Sequence, residues 1–402
     1  MRGEIIATLA KPATSKIIFL VMDGLGGLPN LEGKTELEAA HTPNLDALAA
    51  AGICGLLDPI DSGITPGSGP AHFALFGYDP WENNIGRGLL EAAGIDFPMR
   101  EGDLLIRVNF ASLTEEGTIS DRRAGRIKTE ENARICRKLQ GGIRSMSDDV
   151  RFFCEPVKDH RALLVLRGGE MSEKISESDP QQTGVKPLAP LALAPEAERT
   201  ALLLQDFLEQ AQRLLKDEER VHIPLLRGYA RHRRYPSMQE RYQMRSLAIA
   251  SYPMYRGIAR LLGMSLASAT VTIEEEFAAL IAAYEDYDFF FLHIKGTDSK
   301  GEDGDFAGKV AVIEQVDSLL PQLTALAPTV LVVTGDHSTP AEWRAHSWHP
   351  VPVLLYAKHC RPDLVREFGE RACLQGAVGI MPMQKLMALA LANAGRLAKF
   401  GA

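Results

Sequence analysis

The 402-residue sequence has little cysteine: five residues, scattered at 54, 136, 154, 360 and 373, with no CxxC pair and no metal-type spacing among them. That excludes a disulfide scaffold, and the five read as reduced core thiols of a cytoplasmic protein. Long apolar runs are also missing. Near the N-terminus the only one is Ile17–Met22, ended by Asp23. It is far short of the ~18 residues of a membrane-spanning helix and too short for a secretory signal core, so no membrane partner is expected. There is no basic excess, because 44 Lys and Arg stand against 52 Asp and Glu for a net charge of −8. A nucleic-acid binder would usually show a basic face, and none is expected here. An anionic small substrate stays open, since a few arginines can focus positive potential in a cleft.

What is present is ordinary globular composition, 46% apolar and 24% charged. A chain of 402 residues exceeds the size at which one core stops growing, so two domains are expected. Ile17–Met22 reads as a strand buried on both faces, with Asp23-Gly-Leu-Gly-Gly27 as the turn after it. Residues 42–52 read as a short helix with Thr42 as N-cap, Pro43 in the first turn and Gly52 as terminator. The C-terminal third repeats the rhythm. Strands are expected at 287–294, 329–334 and 351–356, a helix at 306–326 and a closing helix at 384–394. Residues 244–263 read as one helix returning the chain from a middle segment that is richer in Arg and Glu. Alternating strands and helices imply a parallel sheet between helix layers. Residues 1–80 and 240–402 are expected to form the core domain and 81–239 an inserted second domain.

Ligands of open parallel sheets bind beyond the carboxyl ends of the strands. Asp23 follows the first expected strand; Asp298, Glu302, Asp303 and Asp305 follow the second; Asp336 and His337 follow the third; His346 and His349 precede the fourth. Each has an ordinary reading as a turn, cap or solvated loop residue. Together they bring oxygen and imidazole donors to one edge in about the number two adjacent divalent cations need. Thr65-Pro-Gly-Ser-Gly-Pro70 adds Ser68, a glycine-flanked hydroxyl at the mouth of a helix, where free backbone N–H groups favour phosphate. Coordination to a metal would activate it as a nucleophile.

These segments resemble the alkaline phosphatase superfamily: Asp23, TPGSGPAH at 65–72, HIKGTD at 293–298, TGDH at 334–337 and HSWHPVP at 346–352. More narrowly the chain is similar to the archaeal-type, cofactor-independent phosphoglycerate mutases. The narrower likeness is carried by GRGLLEAAG at 86–94, DRRAGRI at 121–127, HRALLVLRG at 160–168, SDP at 178–180 and LLRG at 225–228. The resemblance implies an α/β fold with an alkaline-phosphatase-like, mostly parallel sheet between helix layers and a smaller inserted α+β cap domain. It implies two divalent metal ions, manganese first and magnesium or zinc as alternatives. One ion would take Asp23, Ser68, Asp336 and His337, the other Asp298, residue 302 and His346. The family pattern after Asp298 ends in histidine, whereas this chain has Glu302. A carboxylate there favours manganese or magnesium over zinc, and Asp303 or Asp305 is the alternative ligand. His349 is expected on the solvent side of its loop.

The implied reaction interconverts 3-phosphoglycerate and 2-phosphoglycerate through a phosphoserine at Ser68, with the inserted domain as a lid against water. A related metal-dependent phosphotransferase or phosphatase acting on another small phosphorylated metabolite, for example a homoserine kinase-like enzyme, is the alternative. Arginines would clamp the substrate anion. The candidates are Arg87, Arg122, Arg123, Arg126, Arg227 and Arg231, with Arg123, Arg126 and Arg227 preferred, and Lys295 is expected to touch phosphate. A monomer or small homo-oligomer is expected.

Overall fold

The computed structural model describes residues 2–83, 85–144 and 147–401, with side chains from residue 5 onward. The chain falls into two compact units, Met1–Asn84 with Pro236–Ala402, and Ile85–Tyr235.

The larger unit is built on an eight-stranded sheet. Its order is Gly379–Pro382, Ile53–Asp58, Val351–Ala357, Val330–Thr334, Ile17–Met22, Phe289–Ile294, Ser246–Ala250 and Ser265–Leu266. Val351–Ala357 runs antiparallel to both neighbours; the remaining pairs are parallel. Every residue of Ile17–Met22, Phe289–Ile294 and Val330–Thr334 is buried. This is why these strands are apolar throughout rather than alternating.

Register decides what this sheet can present. Met22 lies opposite Ile294 and Val21 opposite Thr334, so the residues after all three strands emerge at one edge. The antiparallel Val351–Ala357 pairs Val353 with Thr334 and Val351 with Leu57. The segment entering that strand and the segment leaving Ile53–Asp58 therefore reach the same edge. Residues far apart in sequence converge there because one sheet orders five passes of the chain.

Most expected elements form with ends moved by one to three residues, the helices at Pro43–Ala51, Phe306–Thr324 and Leu386–Asn393 among them. The single helix expected over 244–263 is corrected. Ser246–Ala250 is a fully buried strand parallel to Phe289–Ile294, and the helix is Pro253–Leu261. Pro253 sits in the first turn, where its missing N–H is not needed, and marks the boundary. Thr42 precedes its helix but makes no side-chain cap bond. The Asp317 carboxylate accepts the Leu45 and Asn44 N–H groups instead, at 2.7 and 3.3 Å.

The smaller unit carries a five-stranded antiparallel sheet, in which Leu104–Leu113 pairs with Ile119–Asp121, Arg161–Arg167 and Ile223–Arg231, and Arg151–Lys158 completes the far side. Helices Thr129–Gly142 and Glu198–Leu214 pack Ile135, Leu139, Leu204 and Phe207 into one core with Ile106 and Phe110 of the sheet. Among the described residues the cysteines are free, four of them buried, and no helix is long and apolar enough to cross a membrane.

Candidate active site

Asp23 extends the parallel ladder by one residue, its N–H donating to Ile294 O at 3.0 Å. Gly24 N–H then donates to Asp336 Oδ1 at 3.1 Å, tying the first turn to the third. His337 Nε2 lies 3.3 Å from Asp23 Oδ1, 3.2 Å from Asp336 Oδ2 and 3.3 Å from Ser68 Oγ. The donor atoms of Asp23, Asp336 and His337 all lie within 4.8 Å of one another. Asp23 and Asp336 are wholly buried, yet Asp23 Oδ1 and Asp336 Oδ2 have no hydrogen-bond partner. Buried carboxylate oxygens without partners are costly. A divalent cation fits this donor set and would satisfy both orphans.

A second group overlaps the first. Donor atoms of Asp298, His337 and His346 also lie within 4.8 Å of one another. His346 Nδ1 sits 3.0 Å from the Pro66 carbonyl. A carbonyl only accepts, so Nδ1 carries the proton and Nε2 a lone pair. That lone pair faces Asp298 Oδ1 at 3.7 Å, while the His346 ring stacks on His337 at 3.7 Å. Glu302 lies one turn after Asp298 on helix Gly296–Asp303, hence on the same face. Its Oε1 is 3.9 Å from His346 Nε2 and its side chain is 55% exposed, so it borders the three-donor group from the solvent side. Asp303 is exposed. Asp305 caps the next helix through Gly308 N–H and pairs with Lys300, both at 2.8 Å. His349, half-buried, stacks on Trp348 and bonds Ser347 Oγ at 3.1 Å.

Lys295 spans the two groups, its ammonium 3.0 Å from Asp23 Oδ2 and bonded to Asp298 Oδ2. Burial pushes its pKa down, but the Asp23 and Asp298 charges outweigh burial and raise it. Burial likewise pushes Asp336 up, yet His337 and His72 bring it well below the usual carboxylate range. The site is thus anionic, with the Lys295 ammonium bonded directly to its carboxylates and the buried Lys309 ammonium acting on Asp298 and Asp23 from behind.

Ser68 opens helix Ser68–Leu75, with Gly67 before it. Two histidines that carried no assigned role in the sequence complete the surroundings. His72 Nδ1 lies 2.8 Å from Ser68 O and 3.3 Å from Asp336 Oδ2, and His293 Nε2 lies 3.3 Å from Asp23 Oδ2. Both are wholly buried. Their signal was position: each stands in the same short segment as a site residue.

In the smaller unit the arginines separate into bound and available. Arg122 makes a bidentate pair with Asp179, at 2.9 and 2.7 Å. Arg227 contacts the same carboxylate at 3.4 Å, and its buried Nε, without a hydrogen bond, faces Glu177 Oε2 at 3.8 Å. Arg123 and Arg126 are exposed on a turn whose Gly125 has φ +65°, with Asp121 accepting the Arg123 and Gly125 N–H groups. Arg87 and Arg231 are exposed as well. Arg107 and Arg161, which the sequence did not single out, share one carboxylate, Glu91, at 3.4 and 3.7 Å. Burial, opposed by Glu91 and reinforced by Arg161, Arg87 and Arg227, brings the Arg107 pKa down to about 10. Burial and the same positive surroundings lower His160 to about 4. This is a cationic cluster with too few anions of its own.

A sheet edge that gathers buried carboxylates, imidazoles and a helix-borne serine has the donor set of enzymes that handle phosphate esters with divalent cations. A family model described as 2,3-bisphosphoglycerate-independent phosphoglycerate mutase matches residues 49–220. A probable 2,3-bisphosphoglycerate-independent phosphoglycerate mutase of Thermus thermophilus is 48% identical over 404 residues, covering 99% of each chain. Among solved structures, a cofactor-independent phosphoglycerate mutase from Thermoplasma acidophilum is 30% identical, with a TM-score of 0.71 over 95% of this chain and 100% of that one. The PH0037 protein from Pyrococcus horikoshii is 28% identical, with a TM-score of 0.82 over 97% and 100%. The chain belongs to the 2,3-bisphosphoglycerate-independent phosphoglycerate mutase family.

Proposed function

We propose that the protein interconverts 3-phosphoglycerate and 2-phosphoglycerate by way of a phosphoserine at Ser68, a step shared by glycolysis and gluconeogenesis, in the cytoplasm. The observation that carries this is the Ser68 hydroxyl, 3.3 Å from His337 Nε2 at the junction of the two overlapping donor groups. Asp23, Asp336, His337 and Ser68 would hold one cation, and Asp298, Glu302 and His346 the other. Such ions, manganese by the oxygen-rich donors, supply Lewis-acid stabilisation of charge on phosphoryl oxygens and lower the pKa of a coordinated hydroxyl.

Ser68 Oγ loses its proton and attacks phosphorus in line, the bond from phosphorus to the C3 oxygen breaks, and that oxygen takes up one proton as glycerate, so the half-reaction moves one proton from Ser68 to the leaving oxygen. The glycerate 2-hydroxyl then attacks the phosphoserine, losing its proton, and the bond to Ser68 Oγ breaks. Backbone N–H groups at the start of helix Ser68–Leu75 favour the incoming phosphoryl oxygens. With cations held by Asp23 and Asp298, Lys295 would no longer be needed as their counter-charge, and its ammonium would be available to the phosphoryl group. Carboxylate and phosphate recognition belongs to the smaller unit's arginines. Arg107, Arg161 and Arg227 are added to Arg87, Arg123 and Arg126, and the bidentate guanidinium geometry suits both anions. Keeping water from the phosphoserine, without which the enzyme would be a phosphatase, is the role given to the inserted unit.

The test is conversion of 3-phosphoglycerate to 2-phosphoglycerate without added 2,3-bisphosphoglycerate, with manganese, magnesium and zinc compared. Turnover highest with manganese, with a phosphorylated Ser68 peptide recovered after acid quench, is expected. Release of inorganic phosphate without isomerisation overturns the mutase assignment in favour of a phosphatase.

A further inference from the structure

Thr339 belongs to neither donor group, yet it touches both. Its Oγ1 lies 2.6 Å from Asp298 Oδ1 and 3.0 Å from His337 Nδ1. A threonine hydroxyl has one proton to give. The hydroxyl gives that proton to Asp298 Oδ1, so it must accept from His337 Nδ1. This places the imidazole proton on Nδ1 and leaves the Nε2 lone pair facing Asp23, Asp336 and Ser68.

The hydroxyl cannot turn away. Thr339 is wholly buried. Its N–H donates to Gly26 O at 3.0 Å, and its carbonyl accepts from Lys309 Nζ at 2.9 Å. Lys309, also wholly buried, donates to Gly26 O at 3.1 Å and so pins the loop after Asp23 to the loop after His337. Two glycines make the room. A Cβ on Gly24 would strike Thr339 Oγ1 and Asp298 Oδ1, and one on Gly301 would strike the Thr339 carbonyl and methyl.

We propose that the Thr339 hydroxyl is a positioning group that couples the two cation sites, setting the His337 tautomer for one and the Asp298 carboxylate for the other through a single hydrogen-bonded chain. The inference rests on the two-cation reading above. Removal of the hydroxyl leaves a buried His337 N–H without an acceptor, and the ring relieves that by moving its proton to Nε2, towards Asp23 and Asp336. The ring is then blocked as a ligand, and Asp298 loses the donor that orients it. Outer groups that orient metal ligands are typically worth about 10–100-fold in metal affinity.

The experiment compares Thr339→Val, which keeps the shape, with Thr339→Ser, which keeps the hydroxyl. In metal-free protein, ring-nitrogen NMR, with His337 assigned by its loss in His337→Asn, should show the Nδ1–H tautomer in wild type and Thr339→Ser and the Nε2–H tautomer in Thr339→Val. Calorimetric titration with manganese alone should show two ions in wild type. Both affinities should fall at least about tenfold in Thr339→Val and be largely restored in Thr339→Ser. If valine prevents folding, Thr339→Ala removes the hydroxyl without setting a methyl against Asp298, and the same results are expected of it. Two ions bound by the hydroxyl-free variant with wild-type affinity, or weakening at one site alone, overturn the coupling. So does a serine variant as impaired as the alanine one. A wild type that binds fewer than two ions overturns the two-cation reading first, and the coupling falls with it.

Discussion

The larger unit buries its charges and the smaller one leaves them waiting. At the sheet edge, Asp23, Asp298, Asp336 and His337 are almost wholly buried, and two carboxylate oxygens there have no hydrogen-bond partner. In the smaller unit, Arg87, Arg123 and Arg126 are exposed, and Arg107 is crowded by other guanidinium groups. Each region is unbalanced, with opposite sign. Buried acids need compact, strongly bound cations, so the first region is built for ions that stay. A half-exposed arginine cluster costs less when empty, so the second is suited to an anion that comes and goes. On the function proposed above, the contrast is that of a resident cofactor site and a substrate-recognition site.

The most severe test of the first half is Ser68→Ala. Among the described residues its hydroxyl meets only His337 Nε2, at 3.3 Å, and the Tyr255 side chain, and it caps nothing, so the fold should be unchanged while turnover falls about 10⁴-fold or more. A phosphorylated peptide should no longer be recovered. Isomerisation at near wild-type rate by the alanine variant would remove Ser68 as nucleophile.

Asp336→Asn comes next. It removes a charge from the first donor group, and manganese affinity should fall by at least about 10–100-fold. An ion bound only to the folded state stabilises by linkage, about 2.7 kcal/mol at a hundredfold excess over Kd. Added manganese should therefore raise the melting temperature of wild type and leave that of the variant nearly unchanged. Equal shifts in both would show that Asp336 is not a ligand.

The second half is sharpened by Arg107→Gln. Relief of crowding from Arg161, Arg87 and Arg227 should leave stability equal or higher, with Glu91 still paired to Arg161. A lost charge-assisted hydrogen bond to substrate is worth about 1.5–3 kcal/mol, or roughly 10–100-fold in KM. A stability loss with unchanged KM would instead make Arg107 structural.

The same contrast explains what could be read from sequence. The first site was legible because a sheet in register turns short motifs after successive strands into neighbours, so Asp23, Asp298, Asp336 and His337 could be grouped without coordinates. The strand at Ser246–Ala250 was misread as helix because a five-residue apolar run has no period of its own, and only Pro253 marked the break. Arg107 was missed because it lies inside a strand with no turn signal, and Arg161 because it opens the next strand; pairing across the sheet sets Arg107 opposite Arg227 and Arg161 opposite Asn109. Thr339 was invisible, since a second hydrogen-bond shell depends on angles and distances that spacing does not encode.

Glu302 stands between the two regimes, a carboxylate of the larger unit that is more than half exposed. Burial and Asp298 raise its pKa. As a ligand at the solvent edge of the second group it should contribute modestly. Glu302→Ala should weaken one manganese ion about tenfold, and Glu302→His should move preference towards zinc or cobalt. Two-ion binding unchanged in Glu302→Ala would place Glu302 outside the site.

The last test asks whether the rule of the larger unit holds where the neighbouring cations, Lys309 and Arg371, do not offset burial. Glu370 is enclosed there as well. Its Oε1 accepts Gly27 N–H at 2.9 Å and its Oε2 accepts the Thr35 hydroxyl at 2.6 Å. Burial, against those hydrogen bonds and with Glu38 adding to it, raises its pKa from 4.5 to about 7. An acid whose cationic neighbours do not offset burial should hold a proton instead. Between about pH 4.5 and 7 the folded chain then keeps that proton and the unfolded chain does not. Stability therefore falls as pH rises through this window and levels off above it. At about 1.4 kcal/mol per pH unit the loss is on the order of 3 kcal/mol at most. Glu370→Gln keeps an acceptor for Gly27 and carries no proton to lose, so its urea midpoint should stay flatter across the same range while wild type declines. Parallel wild-type and variant curves would mean that Glu370 is ionised in the folded protein, and that its cationic neighbours suffice to hold the buried charge.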